Sequence, residues 1–172
     1  MVEKVTARKR EPEPSESLYD VGRRALDEAM RKKLEGKVIV KGKDIDFEQN
    51  RQGIIKYLLH RKDWDNVGTP GWHIFIHRIL KHSGKHVHQG GLAIFVIGGK
   101  GYTVVDGQRY DWEDGDLILL PVKPGGVEHQ HFNDDPANPA EWMAFIYHYM
   151  LDPINMGITQ KAEHPDWVKP KA

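Results

Sequence analysis

Two short histidine pairs carry the chemistry of this chain. His86-Val87-His88 and His129-Gln130-His131 each set two imidazoles two residues apart. Residues i and i+2 of a strand share one face, so each pair presents two rings side by side. Two such strands packed across a barrel interior bring three or four imidazoles together. Neutral imidazole suits Fe, Zn, Cu and Ni. A lone strand histidine is more often a satisfied or wet residue than a ligand. Here there are two pairs about forty residues apart, and eight of the ten histidines lie between His73 and His148.

Composition narrows the alternatives. The 172 residues contain no Cys, which removes disulfide scaffolds, thiolate metal sites and a cysteine nucleophile. The 25 basic and 25 acidic side chains balance, so a bulk-basic nucleic-acid binder is not expected. No apolar run approaches the ~20 residues of a membrane span. The N-terminus lacks a signal-peptide core, and a soluble, cytoplasmic protein is expected.

The elements that must position the histidines follow from periodicity and turn signals. Residues 1–17 are charged and Pro/Ser-bearing and read as a mobile arm. Residues 18–66 read as a helical N-terminal extension. Leu18, Val21, Ala25 and Ala29 recur at helical spacing, Ser17 is a candidate cap, and Gly36 is a stop. Arg31-Lys32-Lys33 suits the solvated C-terminal end of that helix. Val38-Ile39-Val40 is a short β-branched run. Residues 46–60 are ambiguous: Ile54, Ile55, Leu58 and Leu59 fit a helix, which Gly53 weakens.

From Trp72 onward, strands are expected over 72–80, 91–97, 102–105, 108–112, 117–120, 127–132 and 141–150. Asp106-Gly107 is a hairpin signal, and residues 133–139 form a loop. Short strands with close turns make residues 67–150 a β-barrel or sandwich. Residues 151–172, with three Pro, are expected to wrap the surface.

Two stretches resemble a known family. Gly84-Lys85-His86-Val87-His88, followed by Phe95 to Gly101, is similar to the first cupin motif. Gly115-Asp116-Leu117-Ile118-Leu119-Leu120-Pro121, then His129 and Asn133, is similar to the second. The resemblance spans residues 72–150. It implies a mainly β protein: a single cupin double-stranded β-helix, or jelly-roll barrel, with an N-terminal helical extension. It also implies His86, His88 and His129 as metal ligands.

Most metal cupins carry a Glu four residues after the second His, and here that position is Leu92. Either the metal is lost or three imidazoles hold it alone, and retention of all three favours the second outcome. The gentisate 1,2-dioxygenases are similar in this respect. Their motifs resemble the run from His86 to Ile97, Gly101 to Gly107, and His129-Gln130-His131-Phe132-Asn133. The present chain departs from them by an insertion, Lys123-Pro124-Gly125-Gly126, and by having one cupin rather than two.

The resemblance implies Fe(II), with Mn, Ni, Zn or Cu as other ions. Three neutral ligands leave the ion its full charge, so a bidentate anionic substrate can bind and neutralise it. The expected activity is a non-haem dioxygenase that cleaves a C–C bond of a small anionic substrate with O2, an aromatic hydroxy acid being one candidate. A metal-dependent lyase or isomerase is the competing reading, as is a non-catalytic small-ligand-binding cupin.

His131, sharing a face with His129, is the candidate catalytic residue. His77, Arg78, Gln89 and His148 are candidate substrate contacts, whereas Glu128 should face away from His129. Trp142, Phe145, Tyr147 and Tyr149 are expected in the core or at an interface. Neither nucleic acid nor membrane is an expected partner. Single cupins pair through exposed edges, so a homodimer or a multiple of it is expected.

Overall fold

The computed structural model describes residues 17–154 and 157–169. Most of the expected N-terminal arm lies outside these residues. Helix α1 (Leu18–Glu35) begins where expected: the Ser17 hydroxyl accepts from the Asp20 amide, and the helix stops at Gly36. Its basic residues Lys32 and Lys33 sit in the last turn. None of its side chains is buried. It packs against residues 61–66, and just beyond its end Lys37 bridges to Val67.

Eleven strands follow among the described residues. They are β1 (Glu48–Gln49), β2 (Ile54–Leu59), β3 (Trp72–Ile79), β4 (Lys85–His88), β5 (Leu92–Gly98) and β6 (Lys100–Val105). Then come β7 (Gln108–Glu113), β8 (Leu117–Leu120), β9 (Val127–Asn133), β10 (Ala140–Tyr147) and, after the one-turn helix α2 (His148–Leu151), β11 (Thr159–Ala162). They form two antiparallel sheets, ordered β1-β2-β3-β10-β5-β8 and β11-β4-β9-β6-β7. The result is a jelly-roll barrel with an N-terminal helix, as the motifs implied.

Three local readings need correction. Residues 46–60 are not helical; they form the hairpin β1–β2, which extends the six-stranded sheet through β3. Chain N-terminal to residue 67 therefore builds part of the barrel, and the helical reading of 18–66 holds for α1 and two short 3-10 turns. The cause is that β2 is covered on both faces. Ile55 and Leu59 are buried inside, while Leu58 lies under the segment around Gly42. A strand covered on both faces loses its period-2 signature and mimics helical spacing. The last barrel strand ends at Tyr147, not Met150, so His148 begins α2. Val38, Ile39 and Val40 form no strand and are exposed.

The hairpin signal holds. Asp106 (φ 49°) and Gly107 (φ 86°) both take positive φ, the two-residue turn that matches strand twist. The barrel interior is filled unevenly. Ile94, Val96, Trp112 and Leu120 fill the part bounded by β5, β7 and β8. The other end, between β3/β10 and β4/β9, is left open and lined by imidazoles.

Gly53 belongs to the open end. At φ 147°, an added Cβ would stand 2.2 Å from His77 Nε2. Gly53→Ala is expected to cost about 1–3 kcal/mol in chemical denaturation. Gly107→Ala, at φ 86° but with open space around it, should cost less, because only backbone strain acts there. Equal losses would mean that the His77 contact contributes nothing.

Candidate metal centre

Strands β4 and β9 pair antiparallel with His86 directly opposite His129 and His88 opposite Val127. Alternation turns His86, His88, His129 and His131 to the barrel interior, where all four are buried. The outward residues confirm the phase: Lys85 and Glu128 form an ion pair (2.7 Å) on the outer face, so Glu128 points away as expected. One coordinating atom from each of His86, His88 and His129 lies within 4.8 Å of the others. No carboxylate joins this group among the described residues. Leu92 lines the same cavity as an apolar, buried side chain.

Proton placement tests the fit to an ion. His129 Nδ1 stands 3.1 Å from the Val127 carbonyl, an acceptor, so its proton sits on Nδ1 and Nε2 keeps its lone pair. The Gly90 amide donates to His88 Nδ1 (3.0 Å). To offer Nε2 as a ligand, that ring must give up the contact and move its proton. Burial pushes the imidazoles down, to about 4 for His86 and about 3 for His88 and His129; neighbouring imidazoles push the same way. All three are therefore neutral near pH 7, the form that binds a metal. Three buried neutral imidazoles without an acid suit a divalent borderline ion better than Mg2+ or Ca2+, which require oxygen ligands.

His131 lies deepest, and its pKa is lowered well below the ordinary value, first by burial and then by His129. Trp112 Nε1 donates to Thr103 Oγ1 (2.9 Å), and Thr103 Oγ1 lies 2.8 Å from His131 Nδ1. The Thr103 hydroxyl proton then has His131 Nδ1 as its acceptor, which leaves the His131 proton on Nε2. Ser83 Oγ accepts from the His131 amide and anchors the same strand (2.9 Å).

The centre opens into a cavity of about 840 Å3. Eight lining side chains are imidazoles, Arg51 and Arg61 add two cations, and Asp152 is the only acid. Arg61 pairs with Asp152. His77 lines the wall against Trp142 (ring centroids 4.8 Å), and burial drives its pKa down to about 3. His148 lines the mouth, beside His73 (5.5 Å) and Asp152. Of the four residues read as substrate contacts, His77 and His148 thus face the cavity, whereas Arg78 and Gln89 do not line it. Alternation on β3 turns Arg78 outward, where it donates to Glu141 (2.5 Å) and covers the Phe47 ring. Gln89 follows β4 in a turn, where its carbonyl accepts from the Lys123 amide.

Tyr57, His60, Arg61, Gln160 and Trp167 line the cavity unforeseen. They come from β2, the turn after it and the C-terminal segment, which meet only through pairing. Strand β11 hydrogen-bonds to β4 with Gln160 opposite His86, so the tail covers the edge of the strand that carries two of the imidazoles.

Residues 79–146 match the family model described as a cupin domain. The match runs from the end of β3 to the last turn of the barrel in β10. No curated protein matches the sequence. Solved structures share its fold. A polyketide cyclase from Streptomyces resistomycificus is 15% identical with a TM-score of 0.55, over 76% of this chain and 89% of that one. A double-stranded β-helix protein from Klebsiella pneumoniae is 20% identical at 0.52, over 74% and 99%. A salicylate 1,2-dioxygenase from Pseudoaminobacter salicylatoxidans is 14% identical at 0.51, over 80% of this chain but only 36% of that one. At these identities the likeness is one of fold.

Two outcomes are expected. A ring with a folded pKa near 3, against 6.5 when unfolded, takes up no proton on the way from pH 6.5 to 3 while the unfolded chain does. Stability of the metal-free protein is therefore full above pH 6.5 and falls with acidification, by up to about 2 kcal/mol per such ring at pH 5. Urea midpoints measured from pH 7.5 to 4.5 check this; a flat profile would show that the folded rings titrate as they do in the unfolded chain. Thr103→Val should cost about 1–3 kcal/mol by orphaning Trp112 Nε1. It should also change the His131 tautomer, read from ring 15N shifts.

Proposed function

We propose that this cupin is a non-haem Fe(II) dioxygenase that cleaves a C–C bond of a small anionic substrate with O2. The observation that supports it most is the donor set: three imidazoles and no carboxylate, in a cavity whose one acid is already paired with an arginine. An ion held at His86, His88 and His129 would keep its positive charge and supply open positions for a bidentate anion and for O2.

The other lining residues then have defined work. Arg51 and Arg61 line the mouth, each beside an acid, Glu163 (3.9 Å) and Asp152, and an entering anion would compete with those carboxylates for the guanidinium groups. Phe75, Trp142 and Leu92 exclude water from the reacting end and give a planar ring apolar walls. His131, neutral with its proton on Nε2, donates a hydrogen bond to a substrate oxygen or returns a proton to it. The dioxygenase among the structural relatives, described with gentisate, fits this reading in substrate class.

A second reading rests on the polyketide cyclase, which aligns over most of its own length. Here His86, His88 and His129 would hold an ion that supplies Lewis acidity, His131 would move the proton, and no O2 would be consumed.

The test is metal analysis and O2 uptake on protein purified without air. Iron near one per chain, lost in His129→Ala, and O2 uptake with hydroxybenzoates or β-diketones are expected. Turnover without O2 uptake selects the second reading, and protein that binds no divalent ion refutes both. Leu92→Glu separates the roles further. A carboxylate beside the three imidazoles should tighten metal binding at least tenfold while lowering O2 uptake at least tenfold, because it neutralises the charge meant for substrate. Unchanged turnover in that variant would show that the missing carboxylate has no function.

A further inference from the structure

The mouth of the cavity gathers a second set of imidazoles that the proposed chemistry does not use. His60, His73 and His148 come from the turn after β2, from β3 and from α2. His73 is the hub, with ring centroids 5.3 Å from His60, 5.5 Å from His148 and 5.4 Å from Tyr57. The three do not converge on one ion. Among the described residues, His86, His88 and His129 are the group whose donor atoms lie within 4.8 Å of one another. The mouth offers protons instead. His60 Nδ1 accepts from the Lys62 amide (3.3 Å), which leaves the ring proton on Nε2. Tyr57 Oη accepts from Asn50 Nδ2 (3.1 Å), which leaves its own hydroxyl proton to donate elsewhere. The His73 ring meets Tyr57, His60, Phe75 and His148, with no hydrogen-bond partner among the described residues. Burial holds its pKa down to about 4, and His60, His148 and Arg61 push the same way with no carboxylate opposing them. The ring is therefore neutral near pH 7 and carries one N–H. A half-buried imidazole without a partner is costly unless a guest supplies one.

Strand β3 sets the distance between this mouth and the inner end. His73, Phe75 and His77 face the cavity from alternate positions, so about 13 Å of wall separates the first from the last. His77 stands at the inner end against Trp142, whose ring also touches His131 (centroids 4.7 Å). We propose that the mouth is a distal subsite for an oxygen acceptor, and that the substrate is a two-ended ring acid. One end meets the three-imidazole centre, the ring lies along Phe75, and a far carboxylate takes hydrogen bonds from Tyr57, His60 and His73. This rests on the reading of the centre as a metal site for a bidentate anion. The cavity, about 840 Å3, is of the size that takes drug-sized ligands rather than a single substituted ring.

The test is calorimetric binding to the full chain near pH 7, with and without Fe(II) under argon. The probes are salicylate extended by a phenyl ring, and the same molecule with a carboxylate at the far para position. The wild-type chain is expected to bind the carboxylate probe about tenfold tighter or more, the worth of one or two hydrogen bonds. Tyr57→Phe, which deletes one hydroxyl and keeps the ring, and His73→Phe should each remove most of that preference. Affinity for the phenyl probe should stay as in the wild type. The preference should persist without metal, because no side chain at the mouth is a proposed ligand. An ion that changes neither affinity would defeat the chelating reading and still leave the preference to decide the subsite. Equal affinity for the two probes, a preference untouched in both variants, or no binding of the carboxylate probe at millimolar concentration would overturn the subsite.

Discussion

Everything at this site depends on keeping several imidazoles neutral and dry in one half of a small barrel. A charged imidazole there loses its hydration and faces other imidazoles, a penalty that the Asp106 carboxylate offsets only in part at His129. The barrel meets this constraint with backbone rather than with acid. The ladder between β4 and β9 sets His86 against His129, a carbonyl fixes the His129 tautomer, and Thr103 orients His131. Strand β11 covers the edge of β4, so the ligand-bearing ladder is internal to its sheet. The protein spends its core on this arrangement, because the imidazole half of the barrel holds a cavity where the other half holds packed aliphatics.

The two sheets divide the labour. The five-stranded sheet carries the histidine pairs. The six-stranded sheet supplies Phe75, His77, Trp142 and Leu92 as the facing wall, and it must be stiff to do so.

Much of the barrel was legible in the chain. The turn signal at Asp106-Gly107 and the alternation from Trp72 onward marked strands that the fold contains. The histidine pairs were legible for a physical reason: period-2 spacing on a strand leaves no choice of face. Arg78 was misread because the same alternation that turns His77 inward turns Arg78 outward. Residues 46–60 were misread because packing on both faces erased the strand signature. Tyr57, Arg61 and Trp167 carry no local pattern that marks a cavity mouth.

What the amino-acid order determined by itself was local: which residues alternate, where the chain turns, and that two strands each carry paired imidazoles with a leucine where an acid commonly stands. What only the tertiary structure decided was convergence. The register that sets His86 opposite His129, the addition of β2 and β11 to opposite sheet edges, and the gathering of Arg61, His148 and Asp152 at one mouth all join residues distant in the chain. Hydrogen-bond ladders between distant strands make those choices, and no periodicity within a single strand encodes its partner.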